Sequence, residues 1–286
     1  MKHEIANVNG VDIHYVVEGS GPTILFLHGF PEFWYAWREQ LAAFGTDHQA
    51  VAADLRGYNL SGKPSEVPEY TVPHLIADVK GLLDRVSPAK PAVLVGHDWG
   101  GIIAWAFASF YPDYLSHLVI INAPHPTILA RELATNPAQQ KAMSYTAGLR
   151  SPQAEAALQA DDYALLSVAL FAGAAHQETF SPEDRAAYRE AWGRPGALTG
   201  MANYYRASAL PPTQSTPTAL PPILVPTLVL WGEQDRALLP GNLDGLEEVA
   251  PNVKVERIPN GTHWVVHEEG KTITRAIKDF IGPGAS

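Results

Sequence analysis

Asp98 stands at the centre of VGHDWGG (residues 95–101), between an apolar run at 91–95 and a helix-like segment at 101–110. Read as strand, turn and helix, with Gly96 and Gly100 as the small residues that permit a sharp turn, the stretch lifts its central side chain above a sheet edge. A serine at that point needs a base to take its proton and suits acyl transfer. A carboxylate of ordinary pKa is already ionised near neutrality and needs no activation. Its attack on an ester or amide would leave a mixed anhydride, too reactive to serve as an intermediate, whereas attack on a saturated carbon leaves an alkyl ester. The electrophile this chemistry points to is an epoxide or an alkyl halide. The plain alternative is that Asp98 caps the following helix, since helix N-termini commonly take an acceptor side chain.

An alkyl-enzyme ester must be hydrolysed, which calls for a base to activate water and a group to orient that base. His263, in NGTHW after the last strand-like run, is the candidate base. Asp235, in WGEQD after the preceding run, is the candidate orienting acid. Both fall in loops at the carboxyl ends of strands expected to run parallel, the edge where Asp98 emerges and where open α/β sheets build their sites. Each has an ordinary alternative: one of 11 histidines on a surface, and an aspartate that stabilises a turn. His267 competes with His263 but falls in the polar lead-in to the last helix.

HGFPE (residues 28–32) supplies a further part. Water attack on the ester puts negative charge on a carbonyl oxygen, and the backbone N–H groups of Phe30 and Trp99 are candidates to receive it. Gly29 and Pro31 shape this turn, with Pro31 a candidate for a cis peptide bond. His28 and His97 read as structural, and Glu32 and Glu233 as solvated charges rather than catalytic groups.

The elements that must position these residues follow from hydrophobic patterning. Residues 5–8 and 11–17 read as strands about an Asn9-Gly10 turn, and 23–27 and 49–53 as buried strands, with a helix at 34–44 between them. A helix at 72–86 precedes the strand before Asp98, and a strand at 118–121 follows the helix after it. Strand signals resume at 227–231 and 253–258, separated by a helix-like stretch at 243–249, and a last helix spans about 271–281. Such alternation implies a largely parallel sheet with right-handed crossovers. From about 125 to 210 the spacing is helical without a comparable strand, and a proline-rich connector follows at 211–226. The organisation expected is a core at 1–124, a helical cap at 125–215 and the rest of the core at 216–286, with no internal repeat.

Composition narrows the function classes. A chain of 286 residues, 46% hydrophobic and 17% charged, can bury a sizeable core. A formal net charge of -10 argues against nucleic acid as a partner. With no cysteine, disulfides, thiolate metal sites and cysteine nucleophiles are excluded. The first 15 residues alternate polar and apolar, unlike a signal peptide, and no uncharged apolar run reaches the roughly 18 residues of a membrane span. Cytoplasmic residence with no transmembrane segment is the expectation; oligomeric state is not written in these patterns.

HGFPE, DLRGYNLSGKP (residues 54–64), GHDWGG, GEQD and GTHW together resemble the soluble-type epoxide hydrolases, in the Asp-nucleophile branch of the α/β-hydrolase superfamily, over nearly the whole chain. The resemblance implies an α/β-hydrolase fold: a mostly parallel central sheet flanked by helices, with an inserted helical cap. It also implies that no metal or organic cofactor is used. Members place two cap tyrosines over the nucleophile to bind the epoxide oxygen and donate a proton. NYYRA (203–207) resembles the later tyrosine motif and puts the catalytic hydroxyl on Tyr205, leaving Tyr204 to packing. In MSYTAGLRSPQAEAAL, Tyr145 takes the earlier tyrosine's place relative to Ser151 and Pro152. The DLRGY loop is scaffold in the family, so Asp54 and Arg56 receive no catalytic role.

The expected function is hydrolysis of a hydrophobic organic epoxide by water to a vicinal diol, through an alkyl ester on Asp98. A haloalkane dehalogenase would use the same nucleophile, with Trp99 and a cap side chain holding halide; GHDWG fits both, while NYYRA and HGFPE favour the epoxide. A non-catalytic small-molecule receptor on this fold is the third reading. The complete set of nucleophile, acid and base argues against it.

Overall fold

In the computed structural model, which describes residues 1–211 and 220–282, the apolar runs form eight strands of one sheet. β1 (Lys2–Val8) and β2 (Val11–Glu18) make the hairpin, with Asn9 and Gly10 both at positive φ as an Asn-Gly turn requires. The others are β3 (Thr23–Leu27), β4 (Gln49–Ala53), β5 (Ala92–His97), β6 (Leu115–Ile121), β7 (Thr227–Gly232) and β8 (Val253–Ile258). Their order is β1-β2-β4-β3-β5-β6-β7-β8; β2 pairs antiparallel with β1 and β4, and every other pairing is parallel. β3, β5 and β7 are buried along their whole length, as parallel strands covered on both faces must be.

The 34–44 helix divides into a 3-10 turn (Trp34–Trp37) and α1 (Arg38–Phe44). α2 (Val72–Val86) and α3 (Trp99–Phe110) follow; α3 begins two residues before the expected start, directly after Asp98. Among the described residues, six α-helices lie between β6 and β7: α4 (Pro126–Thr135), α5 (Pro137–Ala142), α6 (Thr146–Arg150), α7 (Ala154–Leu170), α8 (Pro182–Trp192) and α9 (Ala197–Ser208). Residues 212–219 of the expected proline-rich connector fall outside the described residues. The 243–249 stretch is a 3-10 turn and the short α10 (Leu246–Val249); α11 (Val265–Glu268) and α12 (Gly270–Ile281) complete the chain.

Strand alternation divides the core by sheet face. Phe26, Val95, Val119 and Leu228 pack with Trp37, Leu41 and Phe44 near α1 and with Ile273 and Ile277 of α12. Leu25, Leu94, Leu118 and Val229 point the other way, with Leu82 of α2 and Ile103 and Phe107 of α3. The α4–α9 segment is seated on the carboxyl ends of the strands by specific contacts. Tyr204 Oη donates to the Arg56 carbonyl at 2.9 Å and Trp192 Nε1 to the Pro31 carbonyl at 2.7 Å. Arg56 is buried and paired with Asp78, and a Cβ on Gly200 would overlap the backbone of Gly57. Among the described residues no helix is long and apolar enough to cross a membrane.

α7 is broken at Ala160, and Asp161, Asp162 and Tyr163 follow at left-handed φ of 50°, 54° and 60°. Two contacts with α8 hold the break: an Asp162–Arg189 ion pair at 3.2 Å and the Tyr163 ring 6.0 Å from Trp192.

Candidate active site

Asp98 follows β5 at φ 50°, ψ -120°, a conformation that a residue with a Cβ adopts at a cost of about 1–3 kcal/mol. The turn around it is built from close backbone approaches: a Cβ on Gly100 would run into the carbonyls of Leu27 and His28. The Asp98 side chain makes no capping bond to α3, which removes the cap alternative. Its Oδ1 instead accepts from the Phe30 N–H at 2.7 Å. Gly29 makes this possible, because a Cβ there would occupy the space of the Asp98 carboxylate. Trp99 is the first residue of α3, where N–H groups have no intrahelical acceptor and the helix dipole favours an anion. The Phe30-Pro31 peptide bond is cis.

His263 and Asp235 meet Asp98 at the same edge. His263 Nε2 lies 3.6 Å from Asp98 Oδ2, and its Nδ1 lies 2.7 Å from Asp235 Oδ2. Asp235 is fixed in turn: Oδ1 accepts from the Ala237 and Leu238 N–H groups at 2.8 and 2.9 Å, and Oδ2 from Asn122 Nδ2 at 2.9 Å. Burial alone would raise the Asp235 pKa, but the His263 imidazole and these donors hold it below the usual carboxylate value. Burial alone would lower the His263 pKa; the carboxylates of Asp235 and Asp98 reverse this and carry it well above the ordinary imidazole value. The two carboxylates thus favour the protonated imidazole in the resting site.

Asn122 escaped the sequence reading. It follows β6 at φ 39°, its Nδ2 donates to Asp235, and its Oδ1 accepts from the Gly232 N–H at 2.8 Å. The available signal was positional: a polar residue directly after an apolar strand, on the edge expected to carry Asp235 and His263.

Glu32 requires a correction. Expected as a solvated charge, it is buried, with Oε1 2.5 Å from His267 Nε2 and accepting from Tyr188 Oη at 2.9 Å. Its Oε2 lies 3.2 Å from His97 Nδ1, and His97 Nε2 reaches the His263 carbonyl at 2.8 Å. Burial would raise the Glu32 pKa, yet His267 and His97 hold it well below the ordinary value, so the carboxylate is kept as an anion by partners from other elements. His267, the rival base, belongs to this network. Glu233, by contrast, pairs with Arg257 at 3.0 Å as a half-exposed charge. His28 Nε2 accepts from the Leu55 N–H and its Nδ1 donates to the Gly29 carbonyl, tying strand end to turn. Asp54 is buried among His14, Trp34 and Asn59.

The two tyrosines arrive from the helical segment. Tyr205 of α9 is 4% exposed, and its ring meets Phe30 and Trp99 edge to face at 5.3 and 5.4 Å. Tyr145, just before α6, interacts electrostatically with Tyr205 and lines an open apolar cleft with Phe30. It is 46% exposed because the cleft admits water, yet protein surrounds it on enough sides for burial, with the Asp98 and Asp235 charges, to raise its pKa. Burial, Tyr145 and Asp98 likewise push the Tyr205 phenol well above its ordinary value. Both phenols keep their protons at neutral pH and are able to donate them. Among the described residues, no three His, Asp or Glu side chains are grouped to hold a metal ion.

The sequence profile described as the alpha/beta hydrolase fold matches residues 22–270. The chain is 36% identical to the AB hydrolase superfamily protein YfhM of Bacillus subtilis (strain 168), over 98% of each chain. It is 35% identical to epoxide hydrolase 4 of Mus musculus, over 96% of this chain and 77% of that one. A crystal structure of the Bacillus megaterium epoxide hydrolase in complex with an inhibitor is similar with a TM-score of 0.90 at 35% identity, covering 97% of this chain and 99% of that one. The chain belongs to the α/β-hydrolase family, in the group that contains the epoxide hydrolases.

Proposed function

We propose that this hydrolase converts an organic epoxide and water to a vicinal diol through an alkyl ester on Asp98. The observation that carries the reading is the division of labour between the two Asp98 oxygens. Oδ1 is held by the Phe30 N–H, while Oδ2 faces the cleft side of His263 at 3.6 Å. Oδ2 attacks an epoxide carbon, the carbon–oxygen bond opens, and the departing oxygen takes a proton from the Tyr205 and Tyr145 pair. Oδ1 remains as the ester carbonyl in its N–H cradle.

Esterification also changes His263. The Asp98 charge that helped hold its proton is gone, so the imidazole pKa falls; the proton it releases restores the phenol. Neutral His263, oriented by Asp235, then takes a proton from water as the oxygen adds to the ester carbonyl. The charge on Oδ1 is met by the N–H groups of Phe30 and Trp99. Collapse returns the proton to the leaving alcohol, and ionisation of Asp98 returns His263 to its protonated resting form.

In this reading residues 125–215 are the cap that carries the tyrosines over the core of 1–124 and 216–286. The protein works in the cytoplasm on a hydrophobic epoxide and water, without metal or organic cofactor. The test is to supply styrene oxide and 1-bromobutane separately and measure diol and bromide release. Diol without bromide is expected; bromide without diol would replace this reading by dehalogenation.

A further inference from the structure

The cleft lined by Tyr145 and Phe30 lies between α6 and α7, with a volume of about 320 Å3. Leu158 and Leu166 wall it, and Leu165, 56% exposed, stands at its open side. Among the described residues, no charged side chain lines it. The break in α7 shapes this space, since Leu158 precedes the left-handed residues and Leu166 follows them. Beyond the break, Asp162 pairs with Arg189 and the Tyr163 ring packs against Trp192.

Gly148, one turn of α6 beyond Tyr145, is a glycine that the backbone does not require. It lines the cleft, is not at positive φ, and a Cβ built on it meets nothing within 4 Å. Glycine is disfavoured inside a helix, so neither turn geometry nor close packing accounts for it. Gly148 is exposed, and its absent side chain leaves the cleft open one turn from Tyr145. An ionised group among these leucines would lose hydration without gaining a partner, whereas a hydrocarbon chain would gain by leaving water.

Resting on the epoxide reading of the site, we infer that the α6–α7 cleft holds one uncharged apolar arm of the substrate and that Gly148 sets how large that arm is. The substrate class is a lipophilic epoxide bearing an alkyl or aryl arm with no ionised group on it.

The experiment compares kcat/KM for 1,2-epoxybutane, 1,2-epoxyoctane and 7,8-epoxyoctanoate in the wild type and in Gly148→Phe. Burial of each added methylene is worth up to about fourfold, so the wild type should favour epoxyoctane over epoxybutane by roughly 20-fold or more. Gly148→Phe should lower that ratio by about tenfold while keeping epoxybutane turnover within about threefold, which also shows that the variant folds and that Tyr145 still works. An unchanged ratio, or epoxyoctanoate turned over as well as epoxyoctane, overturns the inference. Should Gly148→Phe fail to fold by circular dichroism, Gly148→Leu takes its place under the same criteria. Should the wild type hydrolyse none of the epoxides, the proposed reaction fails on its own. The arm site is then judged by calorimetric binding of 1,2-octanediol against 1,2-butanediol: a preference lost in Gly148→Phe supports it, and a preference absent from the wild type or unaltered by the substitution overturns it.

Discussion

Asp98 and Asp235 follow strands buried along their whole length and His263 follows the partly exposed edge strand β8, whereas Tyr145 and Tyr205 stand on or beside helices laid across that sheet. The core side is fixed by directed bonds. Asp235 alone has three donors besides His263, and the Asp98 turn leaves no space for a Cβ on Gly29 or Gly100. The helical side is fixed by ring packing: Tyr205 is wedged against Phe30 and Trp99, and Tyr145 faces an open cleft. The difference separates two tasks. Covalent chemistry needs reacting atoms held in one geometry, while substrate binding needs a wall that can be varied without disturbing them.

Substitutions that break the comparison most severely belong on the core side. Asp98→Asn should lower kcat by about 10⁴-fold or more, since no other carboxylate takes its place at the turn. The same variant imitates the uncharged ester. Loss of a neighbouring negative charge should shift the His263 titration, followed by imidazole NMR, to lower pH than in wild type. A titration that stays where it was would remove Asp98 from the control of the base. His263→Gln should slow steady turnover by about 10³-fold while leaving ester formation intact, so that intact-mass measurement finds alkylated protein accumulating. Rapid turnover without accumulation would assign hydrolysis to another base.

The helical side should give graded losses. Tyr205→Phe is expected to slow ester formation by about 10–100-fold, and Tyr145→Phe by less, in stopped-flow single turnovers. Equal and complete loss in both would mean that the phenols are as indispensable as the core residues. The Glu32 network, which ties the two sides together, should show mainly in stability. Glu32→Ala strips His97, His267 and Tyr188 of their shared acceptor and should cost about 3–5 kcal/mol in chemical denaturation. A cost below about 1 kcal/mol would show that the buried anion is not needed to hold them.

The same division governs what was legible in the sequence. The strands before Asp98 and Asp235 announce themselves as short apolar runs buried on both faces, and the one before His263 as an alternating edge strand; the groups beyond their carboxyl ends can be read off in order, which is why the three were named as one set. Asn122 and Glu32 were missed because their significance lies in partners more than 60 residues away: Asn122 meets Asp235, and Glu32 meets His97, Tyr188 and His267. No local pattern marks a glutamate for burial when its compensating donors come from three later elements. The break in α7 is invisible for a related reason. Asp161, Asp162 and Tyr163 sit in a stretch with helical spacing, and their left-handed conformation goes with contacts to Arg189 and Trp192. Tyr145 and Tyr205 were found through family resemblance, because tyrosine on a helix packs as readily as it reacts.

The central claim is that an Asp98 oxygen, rather than water, makes the new carbon–oxygen bond. A single turnover in ¹⁸O-water, with enzyme in excess over styrene oxide, tests it directly. The first diol released should carry no ¹⁸O, and the label should appear in the Asp98 carboxylate by peptide mass spectrometry. Label in the first diol, with Asp98 unlabelled, would show direct attack by water and contradict the ester mechanism.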